Sequence, residues 1–197
     1  MDKLLFATHN VHKLKEVSTM LKNFVNVLGL SELNFYENIP ETTDTLQGNA
    51  LQKAQFVKDK LGYDCFADDT GLEVDVLNGV PGVFSARYAG EPSNSEKNID
   101  KLLNALKDCK NRTAHFKTVI ALLQGTEIHY FDGIINGIIT TERIGKSGFG
   151  YDSVFIPNGY NKTFAELSPE EKNAISHRGL AVKKLVEFLK YKWLPIT

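Results

Sequence analysis

The 197 residues include only two cysteines, two methionines and one tryptophan. Cys65 and Cys109 form no CxxC pair, so the sequence offers neither a dithiol redox motif nor a zinc knuckle, and both thiols are expected to be idle. A disulfide framework is not needed either, because a chain of this length buries roughly 70% of its extended surface on folding. Long hydrophobic runs are also missing. Stretches such as Val119 to Leu123 fall far short of the roughly 20 residues that a membrane helix requires. The apolar run Leu4 to Ala7 is too short for a secretory signal, so the expected location is cytoplasmic. The sequons at Asn111 and Asn161 are then idle. Neither sign of charge is in excess: 23 Lys+Arg against 24 Asp+Glu leaves −1, and no basic field recruits nucleic acid or an acidic membrane. With no long linker, repeat or low-complexity tract, residues 1–197 read as a single domain.

What is present is ordinary globular composition, 42% hydrophobic and 24% charged, arranged as an alternating α/β chain. Lys3 to Ala7 reads as a buried strand, and from Val11 the residues Leu14, Val17, Leu21 and Phe24 recur at helical spacing. A second helix is expected from about Thr45 to Leu61, with Lys53 on its apolar stripe of Leu46, Ala50, Ala54, Val57 and Leu61. A strand at 64–67 then meets Asp68-Asp69-Thr70-Gly71, and Leu72 to Val76 alternates beyond it, which predicts a hairpin-like element with carboxylates at its bend. Asn98 to Leu106 reads as a helix, and Ala114 to Gln124 and Glu127 to Ile139 as two long strands. A glycine-rich loop, Gly145 to Asp152, leads to a short strand at 153–156. Ser168-Pro169-Glu170-Glu171 has the capping-box arrangement, and a last helix runs from about Ser176 towards Tyr191.

Three constellations carry chemistry. The first is strand, Thr8-His9-Asn10, helix, where unpaired N–H groups and the helix dipole suit a phosphate and Lys13 adds a whole charge. A plain connection capped by Asn10, with Lys13 solvated, is the alternative. The second is Asp68-Asp69, whose mutual repulsion calls for a cation, with Glu41 a plausible third carboxylate. Mg²⁺ suits such a set once phosphate oxygens arrive. An exposed turn is the alternative. The third is the loop with Phe149, Tyr151 and Asp152, where aromatic faces and an acid suit a purine base unless both rings are core. Lys53 either meets an anion or snorkels past the core edge. Two decoys fail. Gly145-Lys146-Ser147 lacks the first glycine of a P-loop, since position 140 is Thr140, and Gly148-Phe149-Gly150 precedes a strand where a dinucleotide loop precedes a helix.

In order and spacing, several segments together resemble the inosine/xanthosine triphosphate pyrophosphatase (Ham1) family over nearly the whole chain. They are Ala7-Thr8-His9-Asn10 with Lys13, Asn49-Ala50 with Lys53-Ala54, Ala67 to Leu72, Val80 to Gly90, Gly148 to Asp152, and Glu171 to Arg178. The resemblance implies an α/β fold with a long mixed central sheet and flanking helices, two lobes around a central cleft, and a homodimer. It implies hydrolysis of dITP, ITP and XTP to the monophosphate and pyrophosphate with Mg²⁺, which removes deaminated purines from the nucleotide pool.

Carried over by position, Thr8, His9, Asn10, Val11, His12 and Lys13 resemble the family's phosphate loop. Asp69 resembles the general base and metal ligand, Glu41 another metal ligand, and Thr70 a substrate contact. Phe149, Gly150, Tyr151 and Asp152 resemble the base-binding loop, and Lys172, His177 and Arg178 the remaining contacts to triphosphate and base. The chain departs from the common pattern at His9 for glycine, Gly48 for glutamate, Thr70 for serine and Ser153 for proline. The expected mechanism is attack of water on the α-phosphorus. Asp69, assisted by Asp68, deprotonates the water, and Lys13, Lys53 and Lys172 neutralise the triphosphate. A nucleotide sensor without turnover, or a Maf-like pyrophosphatase of modified pyrimidines, are the competing readings.

Overall fold

The computed structural model describes residues 3–193. Seven strands form one mixed sheet in the order β2-β1-β3-β5-β6-β7, with β4 paired to β3. These are β1 (Lys3–Phe6), β2 (Asn26–Gly29), β3 (Cys65–Val74), β4 (Pro81–Gly82), β5 (Thr113–Gln124), β6 (Glu127–Ile139) and β7 (Phe155–Pro157). β1 runs parallel to β2 and β3, whereas β4 is antiparallel to β3 and β7 to β6. The helices are α1 (Val11–Leu21), α2 (Leu46–Leu61), α3 (Ser95–Ala105), α4 (Pro169–Ile175) and α5 (His177–Trp193). The chain divides into two compact units, each discontinuous in sequence. Unit 1 comprises residues 1–69, 118–133 and 177–197, and unit 2 comprises 70–117 and 134–176.

Unit 1 is built on strand parity. Successive side chains of a strand point to opposite faces, so Leu4 and Phe6 enter one core and Leu5 and Ala7 another. The first core is closed by α1 and α5 through Val17, Leu21, Val182, Leu185 and Leu189, and the second by α2 through Ala54 and Val57. β3 continues the pattern: Phe66 stacks on Phe6 in the first core, with ring centroids 4.5 Å apart, while Cys65 and Ala67 lie in the second.

Unit 2 has its own core, where Leu72 and Val74 meet Ile99 and Leu102 of α3 and the rings of Phe116, Phe155 and Phe164. Phe116 meets Phe155 edge-on, with centroids 4.8 Å apart.

Most expected elements are present, with local differences. The predicted bend at Asp68–Gly71 is not one: both aspartates lie inside the continuous strand β3 and are buried. A pair of acids can occupy a buried strand because each has cationic partners there. Helix α1 ends at Leu21, leaving Phe24 exposed rather than on its stripe. α3 begins earlier than its apolar spacing suggests, because the Asn94 side chain accepts from the Lys97 N–H and sets the start. The strand expected at 153–156 begins at Phe155, after a short 3-10 turn over Asp152–Val154.

Candidate active site

The parity that builds unit 1 also sorts its two aspartates. Asp68 follows Phe66 onto the α1 and α5 side, and Asp69 follows Ala67 onto the α2 side. Lys13 Nζ of α1 donates to Asp68 Oδ1 at 2.9 Å, and Arg178 Nε of α5 donates to Asp68 Oδ2 at 3.2 Å. Arg178 also donates from Nη1 to Glu16 Oε2 at 2.7 Å. On the other side Asn49 Nδ2 of α2 donates to Asp69 Oδ2 at 3.1 Å, and Lys53 Nζ stands 3.3 Å from Asp69 Oδ1 while also donating to Glu41 Oε1.

These contacts set the protonation of the two acids apart. Burial alone would raise both. For Asp68, the charges of Lys13, Arg178 and Lys53 outweigh burial and hold the carboxyl well below the ordinary range. For Asp69 burial prevails over Lys53 and Lys13, and the carboxyl lies above its usual value, with Glu41 adding to the rise. Burial and the neighbouring charges of Lys53 and Arg178 lower Lys13 despite Asp68. Lys53 is raised, because Asp69, Glu41 and Asp68 together exceed its burial cost.

The turn between β1 and α1 is capped from within. Thr8 Oγ1 accepts from the Asn10 N–H, and Asn10 Oδ1 accepts from the N–H groups of His12 and Lys13. Val11 and His12 are exposed on the first turn of α1. The cap is therefore the plain one, but Lys13 is not solvated: it turns onto Asp68. His177 and Arg178, at the start of α5, are buried. Gly133 of β6 permits this, since a Cβ there would lie 2.0 Å from the His177 carbonyl oxygen and 2.7 Å from the Ala181 nitrogen.

Unit 2 holds the remaining expected residues. Asp152 Oδ2 accepts from the Phe149 N–H at 2.8 Å and from Lys172 Nζ at 2.6 Å. Lys172 is buried and lies over the Phe149 ring, 4.9 Å from its centroid. Gly148, at φ +81°, makes room for this contact, because a Cβ on it would meet Asp152 Oδ2 at 2.2 Å. Tyr151 is buried and donates from its hydroxyl to the Ser85 carbonyl at 2.9 Å, while Phe149 is half-buried. A cavity of about 220 Å³ is lined by Phe149, Gly150 and Asp152 of this loop together with Ser95, Glu96 and Arg143.

The lysines expected to act together thus divide: Lys13 and Lys53 belong to the unit 1 cluster, and Lys172 pairs with Asp152 in unit 2. Asp68 is engaged by Lys13 and Arg178. Thr70, half-buried, opens unit 2 directly after Asp69. Two residues without an expected role belong to the cluster, Glu16 and Asn49. Asn49 and Lys53 share one face of α2 at a spacing of four, a polar pair among alanines that could have singled Asn49 out.

The model of the Ham1 family matches residues 4–188. The chain belongs to the Ham1 family. It is 54% identical over 188 residues to a dITP/XTP pyrophosphatase of Flavobacterium johnsoniae, covering 95% of this chain and 97% of the relative. It is 55% identical over 190 residues to one of Porphyromonas gingivalis, covering 96% and 98%. Among solved structures, the Ham1 protein of Staphylococcus aureus superposes with a TM-score of 0.87 at 38% identity, covering 97% of this chain and all (100%) of that one. The Ham1 resemblance read from the sequence, and the mixed α/β fold it implied, therefore hold.

Proposed function

We propose that this Ham1 chain hydrolyses deaminated purine nucleoside triphosphates, dITP, ITP and XTP, to the monophosphate and pyrophosphate with Mg²⁺. The observation that carries the reading is the convergence of Glu41 and Asp69 on one cationic position, filled here by Lys53 Nζ. The donor set fits Mg²⁺, which takes one or two carboxylates and completes its shell with water and phosphate oxygens. Held by Glu41 and Asp69 beside Lys53, Mg²⁺ would supply charge neutralisation at the triphosphate.

The chain's own residues do the rest. Asp69, buried and with its carboxyl raised, orients water and takes its proton as the water attacks the α-phosphorus in line and pyrophosphate leaves. Lys13 and Lys53 balance the charge that builds on the phosphates. Asp68 holds Lys13 and Arg178 in place, a supporting role beside the base. The Thr8 to Lys13 turn receives the phosphates, and Thr70 contacts substrate.

Base recognition is assigned to the unit 2 loop. The Phe149 ring stacks, while Gly150, Tyr151, Asp152 and Lys172 fix its shape. His177 and Arg178 are proposed as donors that favour a 6-oxo over a 6-amino purine, since a donor facing a donor leaves both unpaired. A homodimer and a cytoplasmic location belong to the same proposal. No helix among the described residues is long and apolar enough to cross a membrane.

The test is turnover of dITP, XTP, dGTP and ATP with Mg²⁺ and with EDTA, scoring pyrophosphate separately from phosphate. Pyrophosphate from dITP and XTP, scarcely any from dGTP or ATP, and none in EDTA is expected. Orthophosphate release, or binding without turnover, would reject the proposal.

A further inference from the structure

We propose that His9 is a positioning residue that fixes where Glu41 stands. The inference rests on the reading above that Glu41 helps to hold the divalent cation. His9 Nε2 lies 2.8 Å from the carbonyl oxygen of Glu37. A carbonyl only accepts, so His9 donates, and that nitrogen carries the proton in either charge state of the ring. The ring also lies parallel to Phe35, with centroids 6.3 Å apart and 5° between planes. Phe35 is itself buried in the α2-side core and meets Phe56 of α2 edge-on. The His9 side chain is thereby joined to residues 35–37.

Residues 35–45 form neither helix nor strand, so Glu41 owes its place to side-chain ties. After Glu41, Thr42 exchanges two hydrogen bonds with Gln52, its N–H donating at 2.9 Å and its hydroxyl accepting at 2.8 Å. Thr43 donates to Asn49 Oδ1 from its N–H at 3.0 Å and from its hydroxyl at 2.9 Å. Before Glu41, the Glu37 carboxylate pairs with Lys60 at 2.8 Å, and the Glu37 carbonyl accepts from His9. Every one of these ties except that of His9 leads to α2. His9 alone in this set fastens the strap to the turn that opens α1, so it connects the Glu41 segment to the proposed phosphate turn.

The test compares wild type, His9→Ala and His9→Gln, the glutamine amide being able to donate to the same carbonyl. Hydrogen exchange of amides 38–44 is measured without substrate or metal, Mn²⁺ binding by electron paramagnetic resonance, and dITP hydrolysis as a function of Mg²⁺. His9→Ala is expected to speed exchange in 38–44 and to weaken Mn²⁺ binding by about tenfold, the lower end of what substitutions behind metal ligands cost. The Mg²⁺ concentration for half-maximal hydrolysis should rise with it, by more than kcat falls, and His9→Gln should recover most of each effect. Unchanged exchange, or unchanged Mn²⁺ binding, in His9→Ala would overturn the proposal. If wild type hydrolyses no dITP the enzymatic reading falls, and the exchange and Mn²⁺ measurements still decide the role of His9.

Discussion

The ammonium of Lys53 serves two carboxylates at once, hydrogen-bonding Glu41 and lying 3.3 Å from Asp69. Its removal takes from both acids the cation they share. Lys53→Met is expected to lose about 3 kcal/mol of stability, the low end for breaking a buried pair, measured by urea unfolding. Turnover of dITP should fall about 100-fold or more, since a cation aimed at the reacting phosphates is lost. A Lys53→Met enzyme with wild-type turnover would remove Lys53 from the chemistry.

Asp69→Asn separates catalysis from stability. Because the Asp69 carboxyl is raised in the folded state, its ionised form is disfavoured there, and this cost grows as pH rises through the folded value. The asparagine variant relieves that cost but withdraws a charge from Lys53, so it should still fold at pH 7, while turnover falls by about 10²–10⁴, the usual contribution of a general base. Chemical denaturation and a pyrophosphate assay on one preparation test both halves.

Asp68 has the opposite sign. Its carboxyl is depressed in the folded state, so it stabilises fully above the ordinary carboxylate value of 3.8, and that stabilisation is lost as pH falls below it towards the folded value. Asp68→Asn should cost about 3–5 kcal/mol near pH 7 by leaving Lys13 and Arg178 short of a charge. The gap from wild type should narrow on acidification, as read from unfolding curves across an acid series.

Gly148→Ala should loosen the base loop. It places a methyl against Asp152 Oδ2 and forces a non-glycine residue into positive φ, which costs roughly 1–2 kcal/mol. The expected result is a higher KM for dITP from displacement of the Asp152 to Lys172 and Phe149 contacts. A KM equal to wild type would dissociate the loop's shape from substrate binding.

Cys65 should resist alkylation. It is fully buried and burial pushes its thiol up to about 12, whereas Cys109 is partly exposed. Iodoacetamide at pH 8 is expected to label Cys109 first and Cys65 only on unfolding, a result read by peptide mass.

The sequence conveyed the helices through their stripes and caps, and the family through motifs that are specific only in order. The stretch from Asp68 to Gly71 misled because adjacent acids imitate a turn when their partners are out of sight. The partners of Asp68 lie 55 residues away at Lys13 and 110 away at Arg178, and local spacing carries no trace of such pairings. The same distance hid the burial of His177 and Arg178, which depends on a glycine in β6. Asn49 was closer to view, on a face already marked by Lys53.

The span from Asp68 to Arg178 also has a meaning in time. A growing chain makes both aspartates and Lys13 first, but the guanidinium follows 110 residues later, on the face of α5 that also carries the core residues Val182 and Leu185. Until α5 docks, Asp68 lacks its Arg178 partner. The contact between Asp68 and Arg178 can therefore close only once the chain has been made as far as α5.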